Sequence, residues 1–120
     1  MKIAVTATDG NPQSAMDPRF GRSKCFMVFD DTSGEWITVD NVQNREAAQG
    51  AGIQAAAAIV NAGCEVLISG HCGPKAYKVL SKAGVAVYRI PAGSTVAAAV
   101  DSFRGGTLEK LSGADVEGHW

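Results

Sequence analysis

Two short segments of this chain carry residue types that can do chemistry. The first is Gly70-His71-Cys72-Gly73-Pro74, where an imidazole and a thiol stand side by side just before a proline. Imidazole and thiolate are both ligands for transition metals, which makes His71 and Cys72 candidate metal ligands. Pro74 suits the first position of a helix, so the amides of Lys75, Ala76 and Tyr77 are expected to face the site without acceptors, an arrangement that attracts anions. Gly70 and Gly73 would let a bound group approach the backbone closely. The plainer alternatives are that His71 is a solvated loop residue and that Cys72 packs against a sheet as a small apolar side chain. Beside a helix start, a thiol would have its thiolate favoured.

The second segment is Asp17-Pro18-Arg19-Phe20-Gly21-Arg22-Ser23-Lys24, with Arg19, Arg22 and Lys24 in a chain whose net charge is only −1. Arginine presents a planar fork of donors that matches sulfide, phosphate or carboxylate anions. Phe20 can anchor this loop to a core, and Gly21 helps to shape it. The alternative is a solvated basic stretch with no ligand.

Cys25, Cys64 and Cys72 are odd in number, far apart and without a Cys-x-x-Cys pair. That argues against a disulfide framework and against a four-cysteine zinc or iron–sulfur site within one chain. A metal bound here is expected to arrive with most of its own ligands. Cys64 and Cys25, each at the start of an apolar strand, are expected to be structural. The near-neutral charge gives the chain no electrostatic reason to bind nucleic acid. No apolar run approaches the roughly 20 residues that cross a bilayer. Met1 leads directly into an apolar strand, so no signal peptide is expected and a cytoplasmic location is.

The elements that must position these segments follow from pattern. With 120 residues, the chain fits one domain with one core. Lys2 to Thr8 reads as a first strand, followed by a long polar loop from Asp9 to Ser23. The length, the two prolines and the lack of apolar periodicity lead to the expectation that this loop is mobile without a ligand. Cys25 to Asp30 and the alternating Glu35 to Val42 form a hairpin, the second of these strands at the sheet edge. Asn44 is the expected cap of a helix from Arg45 to Ala62 whose apolar face is built mostly of alanines, with Gly50 and Gly52 inside it and Gly63 ending it. Asn61-Ala62-Gly63-Cys64 and Lys82-Ala83-Gly84-Val85 form a weak repeat, each a helix end followed by a short strand. Between the two copies runs the helix Pro74 to Lys82, which makes a right-handed parallel crossover. Ser94 is the expected cap of a last helix from Thr95 to Phe103. The domain is expected to span 1–106, and 107–120 to be a flexible polar tail. The order βββαβαβα gives an α/β fold with a mixed sheet and helices on both faces. In such sheets ligands bind beyond the carboxyl ends of the parallel strands, where both candidate segments fall.

Arg19-Phe20-Gly21-Arg22 with Phe26 after it, then Gln49-Gly50-Ala51-Gly52, then Gly70-His71-Cys72-Gly73-Pro74-Lys75-Ala76, in this order and spacing, resemble the dinitrogenase iron–molybdenum cofactor-binding family. The resemblance runs from the start to about Arg104. It implies a three-layer, ribonuclease H-like fold with a five-stranded sheet of order 3-2-1-4-5, strand 2 antiparallel. It also implies non-covalent binding and carriage of an anionic molybdenum-containing metal–sulfur cluster, Mo–Fe–S or Mo–Cu–S, with cluster-assembly or acceptor proteins as partners and no catalysis. By resemblance the cofactor-binding role extends to Phe20, Gly21 and Arg22 and to Gly70, Gly73 and Pro74. His71 and Cys72 lie in a variable part of the second motif, so their ligand role stands on their chemistry. Many relatives carry His where this chain has Arg19, which weakens metal ligation at that position.

Other readings compete. A nuclease of this fold needs several carboxylates on two metals; Asp9 and Glu46 are placed for it, but Ile68-Ser69-Gly70 supplies no acid. A phosphate or nucleotide module would use the same glycine turn and arginines, without a Walker or dinucleotide motif. A regulatory interaction domain for metal-cluster proteins would share all these features.

Overall fold

The computed structural model describes residues 1–41, 51–90 and 93–111. Six strands form one sheet in the order β3-β2-β1-β4-β5-β6. They are β1 (Lys2–Ala7), β2 (Cys25–Asp30), β3 (Glu35–Asp40), β4 (Val66–Ser69), β5 (Ala86–Arg89) and β6 (Glu109–Lys110). β1, β4 and β5 run parallel as neighbours, Ile3 beside Val66 and Val66 beside Ala86. β2 pairs antiparallel with β1, and β3 lies at the edge, paired only with β2 among the described strands. β1 and β4 are buried on both faces, as central strands between two helical layers must be, and this explains their continuous apolar runs.

The sheet has six strands where five were expected. Residues expected to begin a polar tail add β6 antiparallel to β5, Tyr88 beside Lys110, and Leu111 is buried beyond it. Residues 112–120 lie outside the described residues.

Helices cover both faces. α1 (Ala51–Asn61) and α2 (Pro74–Lys82) place Ala55, Ala56, Ile59, Ala76 and Leu80 in one core with Ala4, Phe20, Phe26, Leu67 and Val87. α3 (Val96–Arg104) places Val96, Ala99 and Val100 in a second core with Ile3, Val5, Met27 and Ile68. Strand alternation divides the sheet's side chains between these cores. No helix among the described residues is long and apolar enough to cross a membrane.

The repeat seen in the sequence is a repeated helix stop. Gly63 and Gly84 take φ of 78° and 80°, a left-handed turn open to glycine. In both copies the next residue bonds back into the helix, Cys64 N–H to Ile59 O at 3.3 Å and Val85 N–H to Leu80 O at 2.9 Å. The last helix is capped by Thr95 rather than Ser94: the Thr95 side chain accepts the Ala98 amide at 3.1 Å. The expected cap Asn44, Glu46 and the start of the first helix, with Gly50, fall outside the described residues.

The long loop after β1 is pinned along its length. Single bridges join Ala7 to Met16, Ala15 to Thr95 and Arg19 to His71. Met16, Asp17, Phe20, Gly21 and Ser23 are buried. Its anchors are mostly main-chain hydrogen bonds, which leave no apolar period in a sequence, and this is why the loop read as mobile.

Candidate functional site

The carboxyl ends of β1, β4 and β5 open toward the loop at 8–23, the turn at 70–73 and the segment before α3. The loop is bonded to both neighbours. On one side Met16 N–H donates to Ser94 O at 2.9 Å and Val96 N–H to Ser14 O at 2.9 Å. On the other, His71 N–H donates to Pro18 O at 2.8 Å and Phe20 N–H to His71 O at 3.3 Å. The two candidate segments are therefore one surface: Arg19 and His71 are bridge partners.

Gly70 makes this contact possible. A Cβ there would fall 2.6 Å from Pro18 O and 2.7 Å from Pro18 Cα, closer than real Cβ atoms come. The glycine admits the protein's own loop rather than a bound group, which corrects the expected reason for it. Phe20 is fully buried and stacks on Phe26, ring centroids 5.5 Å apart, so the loop is anchored in the core directly beside its arginines. Asn41, also buried, donates to Ser23 O at 2.8 Å and Gly21 O at 3.5 Å and closes the loop's far end.

At α2 the structure trims the expected donor set. Gly73 stands at the N-cap with no side-chain cap and Pro74 follows. The Tyr77 amide donates to Gly73 O at 3.0 Å and is used. Among the described residues the amides of Lys75 and Ala76 have no acceptor, but Ala76 is buried, so of the three expected donors only the Lys75 amide lies on an exposed residue, with the Lys75 side chain next to it. The partial positive charge of the helix start adds to theirs.

The side chains of the adjoining pair, His71 and Cys72, go to different places. Cys72 has no exposed surface, belongs to the core with Phe20 and Leu80, and its thiol lies 3.8 Å from Gly73 O. His71 is half-buried, with Nδ1 shielded from water. Among the described residues no group of three or more His, Cys, Asp or Glu could hold a metal ion. Cys64 and Cys25 are both buried. Burial pushes the Cys64 thiol up to about 11. Burial, and secondarily the nearby Asp9 carboxylate, raises that of Cys25. Both are thiols at neutral pH, in keeping with structural roles.

Two acids, Asp17 and Asp9, shape the electrostatics as partners of the loop's cations, a role that sequence reasoning gave to neither. Asp17 is buried, and its Oδ1 accepts the Arg19 amide at 2.9 Å and faces Arg19 Nε at 3.5 Å. Asp9 faces Lys24 Nζ at 3.3 Å; its bond from the Gly10 amide, and then the Lys24 ammonium, hold its carboxyl below the usual carboxylate range. Arg19 and Lys24 thus have acidic partners. The signal for Asp17 was present: an acid two residues before the amide it binds, separated by proline, is the spacing of an Asx turn.

The sequence model described as dinitrogenase iron-molybdenum cofactor matches residues 1–106. The chain is 32% identical over 113 residues to an uncharacterized protein of Methanocaldococcus jannaschii, covering 92% of each. Its fold is similar to the apo form of the orange protein from Desulfovibrio gigas, with TM-score 0.93, 37% identity and 96% of each chain covered. It is also similar to the NMR structure of a candidate NifB protein from Thermotoga, with TM-score 0.84, 34% identity and 98% of each chain covered. The chain belongs to the dinitrogenase iron-molybdenum cofactor family.

Proposed function

We propose that this member of the dinitrogenase iron-molybdenum cofactor family binds an anionic metal–sulfur cluster at the Arg19–His71 surface and carries it. The cluster contains molybdenum with iron or copper, and the protein delivers it to cluster-assembly or acceptor proteins in the cytoplasm. It is a carrier rather than an enzyme. The observation that carries the reading is the bridge between Arg19 and His71, which joins the arginine loop to the exposed start of α2. Arg19, Arg22 and the amide of Lys75 are the donors for the cluster's sulfides, on a frame held by Phe20, Gly21, Gly70, Gly73 and Pro74. Sulfide ligands accept such hydrogen bonds, and charge-assisted ones are about twice as strong as neutral ones. His71, half-buried at the bridge to Arg19, is the candidate for direct ligation. Cys72 would have to leave the core to serve.

Anaerobic reconstitution with tetrathiomolybdate and either cuprous or ferrous ion tests this, read by visible absorption and metal counting. We expect a coloured species at one cluster per chain that survives gel filtration and weakens as salt rises. Arg22→Ala should lower its affinity with the fold intact, and Cys72→Ser should leave its spectrum unchanged. Failure of wild type to retain any metal at micromolar protein would overturn the carrier reading.

A further inference from the structure

We propose that Asp17 is a positioning residue: its buried carboxylate holds the Arg19 guanidinium in one orientation, so that an anionic ligand meets a fixed fork of donors rather than a swinging cation. The inference rests on the anion-binding reading of this loop. Asp17 is clamped in both directions to β1, its amide donating to Thr6 O at 3.0 Å and its carbonyl accepting the Thr6 hydroxyl. The next carbonyl, Pro18 O, accepts the His71 amide. The carboxylate therefore sits on a peptide fixed to the strand and to the turn before α2. Asp17 is 7% exposed. The Arg19 side chain is 50% exposed and free to swing apart from this tether. One oxygen, Oδ1, meets Arg19 twice, accepting its amide at 2.9 Å and facing Nε as an ion pair at 3.5 Å. That leaves the two terminal nitrogens of the guanidinium for a ligand.

A paired acid can act in two opposite ways. As a plain counter-ion, Asp17 would compete with the ligand, and Arg19 would contribute more to binding once the acid was gone. As a positioning residue it makes Arg19 worth more, because orientation is settled before the ligand arrives. Asp17→Asn separates these cases. Asparagine keeps the carbonyl oxygen that accepts the Arg19 amide and disturbs no main-chain bond, and it removes only the charge facing Nε.

The test is a double-mutant cycle on binding of the tetrathiomolybdate dianion, followed by its visible spectrum. Arg19→Ala should weaken binding roughly tenfold with Asp17 present and roughly threefold or less in the Asp17→Asn background. The reverse order would overturn the proposal. A second measurement needs no ligand: the Arg19 Nε–H signal in ¹⁵N NMR should exchange slowly with water in wild type and fast in Asp17→Asn. Equal exchange in both would overturn it too. Wild type that binds no tetrathiomolybdate but keeps a protected Nε–H would mark failure of the anion-binding reading while the tether stood.

Discussion

The contact between Gly70 and Pro18 is main chain against main chain, and that decides what a side chain at position 70 would do. A flexible neighbour could swing aside for a new Cβ; Pro18 O at 2.6 Å and Pro18 Cα at 2.7 Å cannot. The whole Asp17-Pro18-Arg19 segment would have to withdraw, taking with it the His71 amide bond to Pro18 O. Gly70→Ala should therefore cost about 3 kcal/mol in urea unfolding, in the range of severe overpacking. Whatever folded protein remains should bind an anionic cluster poorly, since the arginine loop and the start of α2 no longer form one surface. A variant with wild-type stability would show that the loop yields more easily than its packing implies. Residue type alone marked Gly70 as a position of close approach; what approaches it became clear only when the topology set the loop over the turn.

At the scale of elements, legibility followed the physical origin of each feature. Strands β1, β2 and β4 were plain in the sequence because a strand buried on both faces must be apolar throughout. The helix stops were plain because Gly63 and Gly84 adopt a backbone conformation that few other residues take. β6 was not legible: two charged residues, Glu109 and Lys110, carry no alternation, and pairing with β5 alone makes them a strand. The contacts of the loop at 9–23 were hidden for a related reason. Its order comes from amides and carbonyls, which every residue has. In ligand-free protein, the amides of Met16, Asp17, Phe20 and His71, all bonded to other segments, should exchange at least about tenfold slower than those of Gly10 and Gln13, which bond only to nearby exposed side chains. Uniformly fast exchange across the loop would restore the mobile reading. The candidate ligand pair divides for another reason: adjacency in sequence suggested shared chemistry, but neighbouring side chains at a turn need not point the same way, and Cys72 goes to the core while His71 stays half-buried.

For the molecule as a whole, the question is where the cooperative unit ends. The family match stops at 106, whereas the fold continues to Leu111. Leu111 is 9% exposed and closes the core shared by α1, α2 and the sheet. Its amide donates to Val87 O at 2.9 Å and its carbonyl accepts the Tyr77 hydroxyl at 3.3 Å, so it ties β5 to α2. Beside it a groove of about 250 Å³ runs between α2 and the β5–β6 edge, lined by Tyr77, Val85 and Lys110. Removing 107–111 would extend that groove into the core and bare the edge of β5. Burial of one leucine contributes about 2 kcal/mol, before the lost strand pairing is counted. Two truncations make the comparison clean, one ending at Leu111 and one at Gly106, since they differ only in 107–111. The shorter chain should melt about 8 °C or more below the longer, the shift that about 2 kcal/mol produces in a domain of this size. Because α2 also carries the amide of the exposed Lys75, loosening the Tyr77 end of this helix should weaken anion binding in the same variant, and restoring residues to Leu111 should recover both properties together. Equal melting of the two chains would mean that β6 rests on the sheet without supporting it, and that the unit defined by the family match is the whole of the stable fold.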